Sequence, residues 1–177
     1  MRHAHLLPHP TTPDLGIHGI DVRLDRPPGA LLLTYTLTGD LARLRIPSSV
    51  PPRRVDGLWR HTCFEAFVRV EGERGYREFN FSPSGEWAAY AFADYRVGEP
   101  LDLAAPPLIE CRACEIALEL TVRLPDPACP DVPRLRLALA TVVEDRQDQL
   151  AYWALCHTAY QPDFHHPDAF TLGLDTP

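Results

Sequence analysis

The chain has no lysine, since arginine supplies all 17 of its basic residues, and its one methionine is Met1. The missing lysine excludes Schiff-base chemistry and any lysine nucleophile. Long apolar runs are missing as well, and no segment approaches the roughly 18 consecutive apolar residues of a membrane span. The first residues contain no apolar stretch long enough for a secretory signal. Together these absences predict a soluble, cytoplasmic protein with no membrane partner.

Acidic residues outnumber basic ones by 24 to 17, which gives a formal net charge of −7. A nucleic-acid partner requires a basic face, so this balance argues against one. A length of 177 residues suits one domain, and an apolar fraction of 45% is typical of a globular chain. We therefore predict a single domain over residues 1–177, in which residues 1–17 form an extended N-terminal arm. The five cysteines, an odd number, favour reduced thiols.

Side chains alternate in two runs, from Cys63 to Val70 and from Tyr76 to Ser82, and a glycine-containing segment joins them at 71–75. Alternation of period two that is broken by such a turn predicts a β-hairpin. Helical periodicity is scarce elsewhere. Further strands are predicted at 19–24, 30–37, 41–46, 86–95, 135–143, 150–155 and 170–174, with one bent strand or two at 108–124. About ten strands predict an all-β fold, a two-sheet antiparallel β-sandwich of jelly-roll or immunoglobulin-like type.

The hairpin region contains groups that a core does not need, namely Trp59, His61, Glu65, Asn80 and Trp87. Aromatic faces close to hydrogen-bonding groups on a rigid sheet are what a small polar ligand requires. Trp59 is the best placed of the tryptophans, because it opens a strand after a long loop. Each candidate also has a structural interpretation. A tryptophan is often core, and Glu65 could be satisfied by Arg69 or Arg77.

Three blocks of sequence carry a family resemblance. The first block, L-W-R-H-T-C-F-E-A-F-V, covers 58–68, and the second, Y-R-E-F-N-F-S-P-S-G-E-W, covers 76–87. The third comprises Y-W-A-L-C-H at 152–157 and P-D-F-H-H-P-D-A-F-T-L-G-L at 162–174. These blocks resemble DOMON-like domains and the related family-9 carbohydrate-binding modules, and they keep the order that the family has. The first 57 residues fit its opening strands only by pattern.

The resemblance implies a β-sandwich that binds sugars or haem. In sugar-binding members two tryptophans clamp a terminal sugar, and the candidates here are Trp59 and Trp153, with Trp87 as a spare. The hydrogen bonds would come from Arg60, Glu65 and Asn80, and His61 and His157 complete the set of candidate ligand-binding residues. Sugar-binding relatives have acidic residues after the tryptophan, whereas this chain has Arg-His-Thr at 60–62, so a calcium site is not expected.

Three other functions are alternatives to saccharide binding, namely haem binding, metal binding and catalysis. Haem ligation through methionine or lysine is impossible here, so a haem or other hydrophobic cofactor would need histidine ligands. His157, His165 and His166 share one loop region and could bind a metal, although their spacing is not diagnostic. Catalysis would need a nucleophile, a base and an orienting group. Ser82 and Ser84 lack the setting of a nucleophile elbow, and Glu65 with Glu78 or Glu86 would have to act as a glycosidase pair.

These observations predict a non-catalytic domain that binds a small molecule, most simply a saccharide, by aromatic clamping. No cofactor is expected under this hypothesis. Two alternatives stay open. One is a haem or hydrophobic-cofactor binder that uses histidine ligands, and the other is a structural or protein-interaction domain without a small ligand.

Overall fold

A computed structural model describes residues 1–125, 128 and 132–175 of the chain. Within these residues the backbone forms twelve strands and three short 3-10 helices, at Leu41–Arg43, Leu58–Arg60 and Pro167–Ala169. The strands are β1 (Arg2–Pro8), β2 (Ile17–Asp25), β3 (Ala30–Gly39), β4 (Cys63–Val70), β5 (Tyr76–Phe81), β6 (Trp87–Asp94), β7 (Val97–Pro100), β8 (Leu108–Ala113), β9 (Ala117–Pro125), β10 (Arg134–Glu144), β11 (Leu150–Ala154) and β12 (Leu172–Asp175). No helix of this described part is long and apolar enough to cross a membrane.

The strands follow the order β7-β6-β5-β4-β10-β11-β1-β2-β3-β9-β8 through antiparallel ladders, and β12 pairs with β10 beside this path. β1 links the two ends of this order, because it changes partner along its length. Residues 2–6 pair with β2, whereas Leu7 and Pro8 pair with β11. We call β2, β3, β8 and β9 the first half-sheet, and β4, β5, β6, β7, β10, β11 and β12 the second half-sheet.

The two half-sheets pack around one shared core. Leu33 and Tyr35 of β3 belong to the same buried cluster as Phe64 and Phe79 of the second half-sheet. The rings of Tyr35 and Phe64 lie 5.2 Å apart between centroids, and the Tyr35 hydroxyl donates to the carbonyl oxygen of Glu65 at 2.9 Å. The predicted all-β antiparallel class is confirmed, with twelve strands instead of about ten. Hydrogen bonding continues through β1, so the two layers belong to one sheet.

The N-terminal segment 1–17, predicted to be an extended arm, contains β1 and reaches the start of β2. Leu6 is fully buried in the shared core. Pairing on both edges of β1 explains why this segment lies within the sheet.

Two predicted strand segments are short 3-10 helices instead. At Leu41–Arg43 the Asp40 side chain accepts a hydrogen bond from the Ala42 N–H at 3.2 Å, which favours a helical turn over a ladder. At Leu58–Arg60 the chain enters from Gly57, whose φ of 82° suits glycine, and the His61 N–H donates to the Leu58 carbonyl oxygen at 3.1 Å. The 108–124 segment forms two strands, β8 and β9.

Alternation along the second half-sheet gives it an outer face, directed away from the shared core. In β4 the side chains of Phe64 and Ala66 enter that core, so Glu65 and Phe67 lie on the outer face. Cross-strand pairs extend this face, since Glu65 lies opposite Asn80 of β5 and Glu78 lies opposite Tyr90 of β6. Cys63, Cys111, Cys114 and Cys156 are free of disulfides, and Cys129 lies outside the described residues.

Candidate functional site

The outer face of the second half-sheet contains a cavity of about 360 Å³. Its floor comes from outward side chains of four strands, β4, β5, β6 and β10, together with Tyr152 of β11. The short helix at Leu58–Arg60 and the loop after β11 form its rim. The lining residues are Trp59, Glu65, Glu78, Tyr90, Phe92, Arg96, Val142, Tyr152, Pro162, Phe164 and His165. A volume near the lower end of the roughly 300–1,000 Å³ that is usual for ligand pockets suits a small molecule.

Two buried carboxyl groups lie side by side in the floor of this cavity. Glu65 and Glu78 are 2% and 5% exposed. Asn80, fully buried, lies opposite Glu65 and on the same strand as Glu78. The Asn80 Nδ2 donates to the Glu78 Oε1 at 2.7 Å. Within the described residues the Glu65 Oε1 and the Asn80 Oδ1 have no hydrogen-bond partner. Buried polar atoms are normally paired, so these two oxygens are candidates for ligand contact.

Burial changes the protonation of both carboxyl groups. Desolvation raises the pKa of Glu78 to about 7, although the hydrogen bond from Asn80 and the charge of Arg96 act in the opposite direction. Desolvation also raises the pKa of Glu65 well above its usual value, and the neighbouring charge of Glu78 raises it further. A charged carboxylate is costly away from water unless a cation or several donors compensate it. The cavity floor therefore holds protons near neutral pH.

Aromatic rings surround the carboxyl groups. Trp59 is 40% exposed, and its ring meets Tyr90 edge-on at 5.8 Å between centroids. The Tyr90 hydroxyl donates to Asp56 at 2.7 Å, which orients the ring. On the other side of the cavity Tyr152 and Phe164 lie 6.3 Å apart. Ring faces and edges of this kind bind the apolar face of a small polar molecule.

The loop after β11 brings His165 over the floor. The Tyr76 hydroxyl accepts the Arg96 N–H at 3.2 Å, so its own hydrogen is free to donate to the His165 Nδ1 at 2.9 Å. That assignment leaves the His165 proton on Nε2, which lies 3.6 Å from the Glu78 Oε2. Burial lowers the pKa of His165 to about 4, with the charge of Arg96 as a further cause. The imidazole is therefore neutral at physiological pH.

A carboxylate fastens this loop to the turn after β6. Asp163 accepts hydrogen bonds from the Arg96 guanidinium at 2.9 Å and from the Tyr95 hydroxyl at 2.9 Å. Arg96 adopts a positive φ of 55°, an uncommon conformation for a residue other than glycine, which places its side chain beside the loop. Arg96 thus lines the cavity while its charge is paired with Asp163.

The structure brings some of the sequence-predicted residues together and separates others. Trp59, Glu65 and His165 line the cavity, and Asn80 supports Glu78 from the floor. Arg60 is exposed and does not belong to the cavity lining. The His61 Nδ1 lies 2.8 Å from the Glu144 Oε2, at a position away from the lining.

Trp87 and Trp153 lie in the shared core, at 9% and 6% exposure, and neither lines the cavity. Their strands direct them inward, because each alternates with an outward neighbour such as Tyr152. The ring that faces Trp59 at the cavity is Tyr90, at the distance given above.

The histidines considered as metal or haem ligands are dispersed. His157 contacts the Leu7 carbonyl oxygen through Nε2 at 2.8 Å and packs edge-on against His9 at 4.8 Å. His166 accepts the Asp168 N–H at 3.2 Å, which caps the 3-10 helix at Pro167–Ala169. Across the described part of the chain, no group of three or more His, Cys, Asp or Glu side chains could hold a metal ion. Of the described histidines, His165 alone lines the cavity.

Three of the candidates for catalysis, Ser82, Ser84 and Glu86, have structural partners. The Ser84 hydroxyl contacts the Ser82 Oγ at 2.8 Å and the Glu86 Oε2 at 3.0 Å. Glu86 also binds Arg53 at 2.8 Å. This network closes the tight turn between β5 and β6.

Sequence reasoning did not identify Tyr90, Phe92, Arg96 and Phe164 as cavity residues. Tyr90 and Phe92 alternate with alanines in β6, and a pairing of β6 with β5 in the observed register would have placed Tyr90 opposite Glu78. Arg96 and Phe164 stand in loops, where no periodicity indicates the direction of a side chain.

No protein-family model matches the chain, and no curated protein matches it by sequence. Solved structures resemble it in fold. A protein from Bacteroides uniformis ATCC 8492, provisionally named carbohydrate-binding, superposes with a TM-score of 0.70 at 19% identity, over 100% of this chain and 87% of that one. A family-9 carbohydrate-binding module from Caldicellulosiruptor kristjanssonii in complex with cellotriose gives 0.63 at 8% identity, over 99% and 82% of the two chains. A module of that family and organism in complex with glucose gives 0.57 at 8% identity, over 90% and 76%.

Proposed function

We propose that this chain is a non-catalytic domain that binds a saccharide in the cavity on the outer face of its second half-sheet. One observation carries the proposal, namely the combination of a buried carboxyl oxygen that lacks a partner, Glu65 Oε1, with the aromatic rings of the rim. Sugar hydroxyls supply donors for such an oxygen, and the apolar face of a sugar ring packs on aromatic surfaces. Two of the similar folds are complexes with cellotriose and glucose, which supports the ligand class.

The roles of individual residues follow from their positions. Trp59, half-exposed at the rim, stacks on the sugar ring, and Tyr90 supports it edge-on. Glu65 accepts hydrogen bonds from ligand hydroxyls, and Asn80 offers its free Oδ1 beside it. In this proposal the clamp pairs Trp59 with the rings across the cavity, not with Trp153.

The arrangement of the carboxyl groups supports binding over glycoside hydrolysis. Glycosidases place their two carboxyl groups on either side of the scissile bond. Here Glu65 and Glu78 stand on adjacent strands of one floor, and Asn80 hydrogen-bonds to Glu78 there. A ligand would meet both carboxyl groups on the same side. We also propose that the chain is a DOMON-like domain, which the order of the three sequence blocks supports.

Isothermal titration calorimetry with glucose, cellobiose and cellotriose tests the proposal. We expect saturable binding with a dissociation constant between mM and µM, about −4 to −8 kcal/mol. Trp59→Ala should weaken the binding at least about tenfold, which corresponds to roughly 1.4 kcal/mol. Leu108→Ala is the matched control, because Leu108 is 63% exposed on β8 of the first half-sheet. Absence of saturation with these three sugars and with D-glucosamine, or full affinity in Trp59→Ala, would contradict the proposal.

A further inference from the structure

Among the described residues, the cavity floor contains no cation that pairs with its carboxyl groups. Glu65 is 2% exposed, forms no ion pair with any described residue, and presents an Oε1 without a hydrogen-bond partner. Glu78 lies 3.6 Å from the His165 Nε2, but that imidazole is neutral at physiological pH, as shown above. Nothing in the described floor therefore compensates a second negative charge. A buried carboxylate of this kind is stabilised best by a cation that hydrogen-bonds to it.

Arg96, the one arginine among the described lining residues, lowers the pKa of Glu78 through its charge but forms no ion pair with either carboxyl group. Its guanidinium is held by Asp163 at 2.9 Å and by the Tyr95 hydroxyl at 3.2 Å, so its charge is already paired. The described lining therefore contains two carboxyl groups and no cation that forms an ion pair with them. This imbalance, together with the unpaired oxygen, selects for a positively charged group in the ligand.

The rim is suited to a cation too. Aromatic faces attract ammonium groups that lie within about 6 Å of the ring centroid. Five aromatic side chains line the cavity, namely Trp59, Tyr90, Phe92, Tyr152 and Phe164. Carboxyl groups below and ring faces around them provide both the charge and the polarisable walls that a desolvated ammonium needs.

We propose that the cavity takes a saccharide with a protonated amino group, whose ammonium lies against Glu65 and Glu78. This inference rests on the proposed function and narrows its ligand class to amino sugars. An ammonium has three donors, so it could bind the Glu65 Oε1 and the Glu78 carboxyl group together. A neutral sugar offers hydroxyl donors alone and leaves the floor without a counter-charge.

Proton release distinguishes the two kinds of ligand. Without ligand the floor retains protons at neutral pH, whereas a bound ammonium favours the ionised carboxylates, so protons leave for the buffer. The ionisable groups around the two carboxyl groups lie on both sides of the sheet. Tyr35 of β3 lies on the core side, and the others are Cys63 of β4, Tyr76 of β5, Tyr90 of β6, Arg96 of the turn after β6, Tyr152 of β11, and Asp163 and His165 of the loop after β11.

The test is calorimetric titration at pH 6.5 with D-glucosamine, D-glucose, N-acetyl-D-glucosamine and tetramethylammonium, each in two buffers of different ionisation heat. We expect glucosamine to bind at least tenfold more tightly than glucose, with a buffer-dependent heat that reports proton release. Glucose and N-acetylglucosamine should show no buffer dependence. Glu65→Gln should bring the ratio of glucosamine to glucose affinity close to one, whereas Glu110→Gln, an exposed carboxylate on β8, should preserve it.

The outcomes separate the saccharide function from the amino-sugar inference. Glucose affinity equal to or above that of glucosamine overturns the amino-sugar inference and leaves saccharide binding standing. Binding of tetramethylammonium without any sugar shows that the cavity reads charge alone, which overturns the saccharide function. Silence with all four probes overturns both. If Glu65→Gln fails to fold by circular dichroism, Glu78→Gln takes its place in the same comparison of ratios.

Discussion

Replacing Glu78 with glutamine tests whether a buried carboxyl destabilises the folded chain as pH rises. Burial raises the pKa of Glu78 from 4.5 to about 7. A carboxyl with a raised pKa keeps its proton longer in the folded chain than in the unfolded chain. Its contribution to stability is therefore full below pH 4.5 and is lost as pH rises through about 7. Glutamine stays neutral at every pH and escapes this loss.

The magnitude follows from integrating the difference in bound protons. Between pH 5 and pH 8 the shift of Glu78 should remove roughly 2.5 kcal/mol from the free energy of unfolding. We expect Glu78→Gln to gain that amount relative to the wild type on going from pH 5 to pH 8. Burial lowers the pKa of His165 to about 4, so its contribution to the free energy of unfolding falls as pH drops below 6.5. His165 is present in both proteins, and this contribution largely cancels when they are compared.

Urea unfolding at both pH values, followed by the fluorescence of the buried Trp87 and Trp153, provides the measurement. Glu110→Gln is the control, because its side chain is 73% exposed and keeps its contact with water on folding. Its effect should be the same at pH 5 and pH 8. An equal effect of Glu78→Gln at the two pH values would refute the argument that burial dominates this carboxyl.

Three further substitutions test the core and the loop. Tyr35→Phe leaves the Glu65 carbonyl oxygen without its 2.9 Å donor and should lower the free energy of unfolding by about 1–2 kcal/mol in urea, so unchanged stability would contradict the role of this contact. Asp163→Asn should accelerate amide hydrogen exchange in the loop 160–167 without affecting β4, and equal exchange in the loop would show that Arg96 does not hold it. Trp153→Phe should destabilise the core by about 1–3 kcal/mol and leave saccharide affinity within twofold, whereas a loss of affinity would mean that Trp153 reaches the ligand.

Local sequence patterns predicted some elements of the fold and not others. The hairpin of β4 and β5 was predictable, because alternation and a glycine turn are both local signals. The helical turns at Leu41–Arg43 and Leu58–Arg60 were not, because a single side-chain cap and one positive φ outweigh a short apolar pattern. β1 was not predicted, because its ladders with β2 and β11 join it to segments elsewhere in the chain.

The candidate site divides in the same way. Trp59, Glu65 and Asn80 were identified from the hairpin, since aromatic and polar groups there exceed what a core needs. Trp153 was paired with Trp59 by resemblance, yet its strand directs it into the shared core. Tyr90 lies in the site because β6 pairs with β5 in the observed register. Arg96 lies there beside Asp163, which stands 67 residues away in the chain.

Composition and alternation were sufficient to establish an all-β class and the hairpin that holds the carboxyl groups, because period-two patterning and turn chemistry act between near neighbours. They could not specify which face of each strand meets the other half-sheet, or that residues near 59, 65, 90 and 165 converge on one cavity. That convergence depends on strand order and register, which are set by packing between segments far apart in the chain. The unusual protonation of Glu65 and Glu78 has the same origin, because burial arises only when the whole face is assembled.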